Sequence, residues 1–427
     1  MRGWIAALLV SALPVHAAEL WTRHPGYREQ RVVPSDHGRS RTGFSNLPPA
    51  STGVRFTNVL SEAVVAQNHI LENGSGVALG DVDGDGKCDI YFCRLEGPNV
   101  LYRNLGDWKF EDVTASAGVA CDGQWSTGAV FADVDGDGDL DLFVNGIGRG
   151  TRLFLNDSHG DFVEMAGSGL LSVGGSHSMA LADVDDDGDL DLYVANYRTT
   201  SFKGAAESSK VRLRNVNGQL TVTPENAGQF LLTRTAAGQA LLEIGEPDVL
   251  YLNDGHGHFT PESWTGGRFR DEQGRVLREP PRDWGLSAMF RDINGDGAPD
   301  LYVCNDFFSP DRIWINDGRG GFQALPRLAL RKTSFASMAV DFGDLNRDGH
   351  DDFIVVDMLG RSRRERMFQR SNFELAPVPW WGWPPDREGM EGRPQTLRNT
   401  LFLGRGDGTF AEAALASRNS VKVCPHS

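Results

Sequence analysis

The sequence predicts an all-β fold, a β-propeller of four-stranded antiparallel blades, from three observations. An acidic segment with an embedded glycine recurs five times, at a spacing of about 50 residues except for one interval roughly twice as long. A short apolar run, rich in β-branched and aromatic residues, follows each copy at once. Further on, each copy is followed by an apolar run, an Asn/Asp/Gly turn and a Phe, which is the pattern of a tight hairpin. A lone four-stranded sheet buries one face, whereas sheets stacked around an axis bury both.

The 427-residue chain opens on MRGWIAALLVSALPVHA. One Arg, an apolar stretch from Trp4 to Leu13 and a small-residue end read residues 1–17 as a secretory signal peptide, too short to span a bilayer. The chain is therefore expected outside the cytoplasm, secreted or periplasmic. Residues 18–50 read as a linker, 51–415 as the propeller and 416–427 as a tail.

Within the propeller each repeat reads as a strand (VALG, AVFA, MALA, SAMF, MAVDF), the acidic loop, a second strand and the hairpin. The hairpins are LYRNLGDWKF, LFLNDSHGDF, LYLNDGHGHF, IWINDGRGGF and LFLGRGDGTF. Two insertions, at about 197–247 and 358–398, fall in the same slot between second and third strands. The first holds a hairpin of its own, turning at Asn217-Gly218. VRFTNV, at Val54–Val59, reads as the last strand of a blade whose other strands would come from the C-terminal end. Two architectures stay open: a five-bladed ring, or a truncated seven-bladed one.

The acidic loops have the composition of calcium sites. Their candidate ligands are Asp81, Asp83, Asp85 and Asp89; Asp133, Asp135, Asp137 and Asp141; Asp183, Asp185, Asp187 and Asp191; Asp292, Asn294, Asp296 and Asp300; and Asp344, Asn346, Asp348 and Asp352. The backbone carbonyl of the seventh residue (Lys87, Asp139, Asp189, Ala298, His350) would add one more oxygen. Alternate oxygens converge on one point only where the chain curls sharply, and the sixth residue is Gly in every copy. A hard cation wanting six to eight oxygens fits this set, and about five Ca²⁺ ions are expected. Zinc and copper are disfavoured because thiolates and imidazoles are missing from the ligand positions. An EF-hand needs Glu at the twelfth position, where Phe92, Val144, Val194, Val303 and Val355 stand.

DxDxDGxxD between strands, with hairpins of the form LFLNDGxGxF, resembles the FG-GAP/VCBS repeats of integrin α-subunit propellers. NGSGVALGDVDGDG, GVACDGQWSTGAVFADVDGDGDLDLFVNGIGRGTRLFLND and DWGLSAMFRDINGDGAPDLYVCNDFFSPDRIWINDG are similar to the cartilage acidic protein family. The resemblance runs from about Val54 to about Glu412. It implies a secreted, calcium-binding adhesion or matrix role without established enzyme activity. Family members usually continue into further blades and an ASPIC/UnbV module, which this sequence does not show.

The net charge of −16 argues against nucleic acid as a partner. GxSxG, HExxH, P-loop and GxGxxG motifs do not occur. Of the cysteines, Cys88, Cys93 and Cys121 lie close enough in sequence for one local disulfide, with Cys304 and Cys424 further on. His256 and His258 read as solvated turn residues. Arg405-Gly406-Asp407 occupies a hairpin tip where turn chemistry explains it. A rim for a ligand is expected where the second insertion couples a run of Arg to Trp380, Trp381 and Trp383; a Trp cluster folded over a blade edge is the alternative. The expected function is a monomeric, non-enzymatic module binding an extracellular protein or glycan. The alternatives are a carbohydrate-active enzyme, such as a propeller polysaccharide lyase, and a purely structural surface protein.

Overall fold

A computed structural model describes residues 22–24, 27–29, 45–171, 173–200, 211–235, 238–307, 309–358 and 393–414. The signal-peptide segment, most of the linker, most of the second insertion and the tail lie outside the described residues.

Five antiparallel sheets follow one another in the order of the repeats. Blade one comprises Val77–Gly80, Asp89–Phe92, Val100–Gly106 and Lys109–Asp112. Blade two comprises Trp125–Ala132, Asp141–Ile147, Gly150–Asn156 and Phe162–Glu164. Blade three comprises Ser176–Ala182, Asp191–Asn196, Val249–Asn253 and Phe259–Pro261. Blade four comprises Gly285–Arg291, Asp300–Asn305, Arg312–Asn316 and Phe322–Ala324, with Phe269–Arg270 added in parallel at its outer edge. Blade five comprises Ser337–Gly343, Asp352–Asp357, Thr400–Gly404 and Phe410–Glu412.

The alternation of each strand explains the stacking. Successive side chains point to opposite sheet faces. In the second strand of blade two, Leu142 and Val144 pack against blade one, whereas Phe143 packs against blade three. In blade four, Leu301 and Val303 face blade three while Tyr302 and Cys304 face blade five. First strands of neighbouring blades adjoin along the series from one to five. No comparable seam joins blades five and one among the described residues. The outward face of blade one accordingly leaves Val77 51% and Leu79 62% exposed.

VRFTNV is not a strand. The segment is irregular, and Phe56 lies on the outward face of blade one, stacked on Phe92 at 4.6 Å between ring centroids. The Arg55 N–H donates to the Tyr102 hydroxyl. A chain lying across a sheet face has no edge to pair with, so its apolar pattern is used for cover.

Both described parts of the insertions lie between second and third strands. The predicted hairpin is present as Leu213–Val216 and Gln219–Val222, with Asn217 and Gly218 both at positive φ (54° and 83°). A second hairpin follows, Phe230–Thr235 with Gly238–Glu243. No disulfide forms among the described residues: Cys88, Cys93, Cys121 and Cys304 are free thiols.

Residues 61–73 pack at the ends of the second strands, away from the acidic loops. A short helix, Glu62–Gln67, is capped by Ser61, whose side chain accepts from the Val64 N–H. The turn after it buries Ile70 and Leu71 with Leu95, Ile147, Tyr197 and Trp284. Asn68 donates to the Thr199 carbonyl.

Candidate metal centres

Each acidic loop is organised first by its own backbone amides. The leading Asp accepts N–H groups from the far side of the turn: Asp81 from Asp85 and Gly86, Asp133 from Gly136 and Gly138, Asp183 from Asp187 and Gly188. Asp292 and Asp344 do the same. The fifth residue accepts from the N–H of the seventh in all five loops. The sixth-position glycines have φ of 82–97°, a backbone that other residues adopt only under strain.

The ninth Asp does a different job. Asp89, Asp141, Asp191, Asp300 and Asp352 are buried. One oxygen accepts the N–H of the loop's second residue, and the other accepts an N–H at the end of the third strand. Asp141, for example, bonds Val134 at 3.1 Å and Asn156 at 3.0 Å. Asp300 bonds Ile293 at 2.9 Å and Asn316 at 2.8 Å. Burial pushes Asp141 up to about 7, and Asp191 and Asp300 up to about 6, against these amide bonds.

Oxygens left over converge. One oxygen from each of Asp81, Asp83 and Asp85 lies within 4.8 Å of the others, and so do those of Asp133, Asp135 and Asp141, and of Asp183, Asp185 and Asp191. In loops two and three, Oδ1 of Asp135 and of Asp185 is buried with no hydrogen-bond partner. Burial first, then the carboxylates of Asp137 and Asp187, raise these two acids above the ordinary range. A buried oxygen without a donor, pressed by like charge, is what a bound cation would satisfy. Asn294 and Asn346 supply a neutral oxygen in loops four and five. At the seventh position the side chains diverge, so only the carbonyl can serve all five loops. There Lys87 brings its own cation to loop one, 2.6 Å from Asp85, and the Asp139 Oδ2 accepts from Ser158.

Sequence reasoning missed what couples one loop to the next. Asn156 of blade two donates to the Val82 carbonyl in loop one at 2.9 Å. Asn253 reaches Val134 in loop two at 2.8 Å, and Asn316 reaches Val184 in loop three at 2.9 Å. Each is the Asn of its hairpin motif, a residue that turn chemistry alone had seemed to explain. Asn104 of blade one bonds its own blade, at Cys88, and blade five has Gly404 instead.

A protein-family model described as an FG-GAP-like repeat matches residues 81–144, 133–194 and 292–355, each match running from one acidic loop into the second strand after the next. The chain carries FG-GAP-like repeats. Human cartilage acidic protein 1 is 36% identical over 104 residues, 24% of this chain and 15% of that protein. The Xenopus tropicalis protein of the same name is 35% identical over 82 residues, 19% of this chain and 13% of its own length. These alignments therefore span a small part of the curated relatives. Among solved structures, an Agrocybe aegerita lectin that recognises non-reducing terminal N-acetylglucosamine aligns over 78% of this chain and 77% of its own, at 17% identity and a TM-score of 0.32. The V. cholerae biofilm matrix protein Bap1 aligns over 78% of this chain and 38% of its own, at 15% identity and a TM-score of 0.35.

Outside the FG-GAP-like loops, His256 and His258 are exposed turn residues. Asp407 of the Arg-Gly-Asp tip accepts from the backbone and hydroxyl of Thr409. The expected ligand rim at Trp380, Trp381 and Trp383 lies outside the described residues. His177 stacks on Tyr197, which precedes Arg198, and all three are buried. The Tyr197 hydroxyl donates to Asp306 at 2.8 Å, and Arg198 pairs with Glu243 at 2.6 Å. Burial holds His177 down to about 4.

Proposed function

We propose that this FG-GAP-repeat propeller is a secreted, calcium-binding module that engages a protein or glycan ligand without turning it over. The observation that carries the calcium reading is the pair of buried, partnerless oxygens on Asp135 and Asp185, set among carboxylates in loops of the same register. The leading, third and fifth residues with the seventh carbonyl would hold each ion. The ninth Asp would fasten the cage to the blade and, in loops two and three, lend it an oxygen. Bound calcium would supply positive charge and a fixed point around which the loop backbone is ordered. Support for a non-catalytic role comes from the ends of the second strands, where Tyr197 and Arg198 are buried and tied to Asp306 and Glu243.

The test is metal analysis of the purified full chain together with melting in calcium and in EDTA. A site that binds only the folded state adds ~2.7 kcal/mol at a hundredfold excess over its Kd. Several such sites predict a large fall in Tm on chelation. A chain that contains no calcium and melts alike in both buffers would refute the reading.

A further inference from the structure

The four seams between blades are not alike on the loop side. At the first three, a carboxamide from the later blade enters the seam and donates to the second residue of the earlier loop. At the fourth, the corresponding residue is Gly404, and a Cβ there would stand 2.3 Å from the Asp351 carbonyl oxygen. Among the described residues no clamp of this kind reaches Ile293. The seam is spanned instead by an ion pair, Arg291 Nε to Asp351 Oδ2 at 2.5 Å. A cavity of about 280 Å³ remains between the start of loop four, the end of loop five and the hairpin tip at Arg405–Thr409.

The polar groups around this cavity divide unequally. Its carboxylates are occupied: Asp292 accepts from Gly295, Asp296 and Gly297, and Asp351 holds Arg291. Two of its side-chain donors are not. The Arg405 side chain is exposed and makes no hydrogen bond among the described residues, and the His350 imidazole lies against the bare Gly406 backbone inside the same lining. Surplus donors call for a carboxylate. Ile293 lines the cavity without the amide donor that Val82, Val134 and Val184 receive, which calls for a hydroxyl or amide. Small-molecule sites run from ~300 Å³ upward, which limits this one to a single sugar-sized group.

We propose that the open fourth seam binds a uronate residue of an acidic glycan. Its carboxylate would meet Arg405 and His350, and a hydroxyl would stand in for the missing carboxamide. The assignment rests on reading the protein as a ligand-binding propeller and names the ligand class for it.

The experiment is calorimetric titration of the full chain in saturating calcium with sodium glucuronate and galacturonate, with glucose and acetate as controls. Uronate should bind, and glucose and acetate should bind at least tenfold more weakly. Arg405→Gln should weaken uronate binding tenfold or more, and His350→Gln should weaken it by a smaller factor. Arg405→Gln should keep the calcium content and Tm of the parent. If uronate gives no heat, if acetate or glucose matches it, or if Arg405→Gln binds as the parent does, the assignment is wrong. The two readings fail separately: a calcium-loaded chain that ignores uronate overturns only the seam, whereas a chain without calcium overturns the metal reading.

Discussion

Residue by residue, the Asp side chains of this protein divide into those that the calcium reading assigns to an ion and those that hold backbone together. Asp248 and Asp311 belong to the second group and sit away from the loops. Asp248 accepts from the Asn196 amide and the Tyr193 hydroxyl, each at 2.7 Å, and Asp311 accepts from the Asn305 amide and Tyr302. Burial pushes both up to about 7. A carboxyl raised in the folded state binds protons that the unfolded chain has already released. Its contribution to stability is therefore complete below pH ~4 and is lost as pH rises toward 7. Asn99 holds the same place in blade one as a neutral group, accepting from the Arg94 amide and donating to the Tyr91 hydroxyl. We expect Asp248→Asn to raise stability at pH 8 by about 1 kcal/mol, with the gain vanishing toward pH 4. Denaturant titrations across that range at fixed calcium check it; a gain that persists at pH 4 would contradict the sign. None of this was legible beforehand. A buried Asp and a ligand Asp are the same letter, and only the fold says which one is desolvated.

At the scale of elements the sequence was far more readable. Loops, flanking strands and hairpins announced themselves because each repeats a pattern whose chemistry is local. The Asn217-Gly218 hairpin was found for the same reason, whereas Phe230–Glu243 lacks an Asn-Gly turn and went unnoticed. Val54–Val59 misled, because alternation cannot tell a strand from an apolar cover. One loop is the natural unit for testing the metal reading. Asp133→Ala with Asp135→Ala should remove one calcium per chain from the content found by elemental analysis, while the sheet signal in circular dichroism survives. An unchanged metal content would show that loop two is not a site.

For the whole molecule, what could be foreseen was the stack of blades; what could not was how the stack is fastened. The clamps between blades join residues 74 to 132 positions apart, as in Asn156 to Val82 and Asn316 to Val184. No local pattern encodes such pairs. Blade number likewise depends on whether an outward face finds a partner, and here that face still shows Val77 and Leu79.

The clamps also run one way, always from the later blade back to the earlier loop, and they stop before blade five. On the loop side, blades one to four are thus linked like couplings on a train, whereas blade five is held there by a surface ion pair, beyond the apolar seam it shares with blade four. Such pairs are worth ~0–1 kcal/mol and weaken in salt. Dismantling should therefore have an order. In chelator at high ionic strength, amides of Asp352–Asp357 and Thr400–Gly404 should exchange with deuterium before those of Asp141–Ile147. Asn316→Ala, which leaves a seam carbonyl unpaired at a cost of about 1–3 kcal/mol, should bring blade four into the early group. Simultaneous exchange of all five blades would mean that the couplings set no order, and that the stack comes apart as one piece.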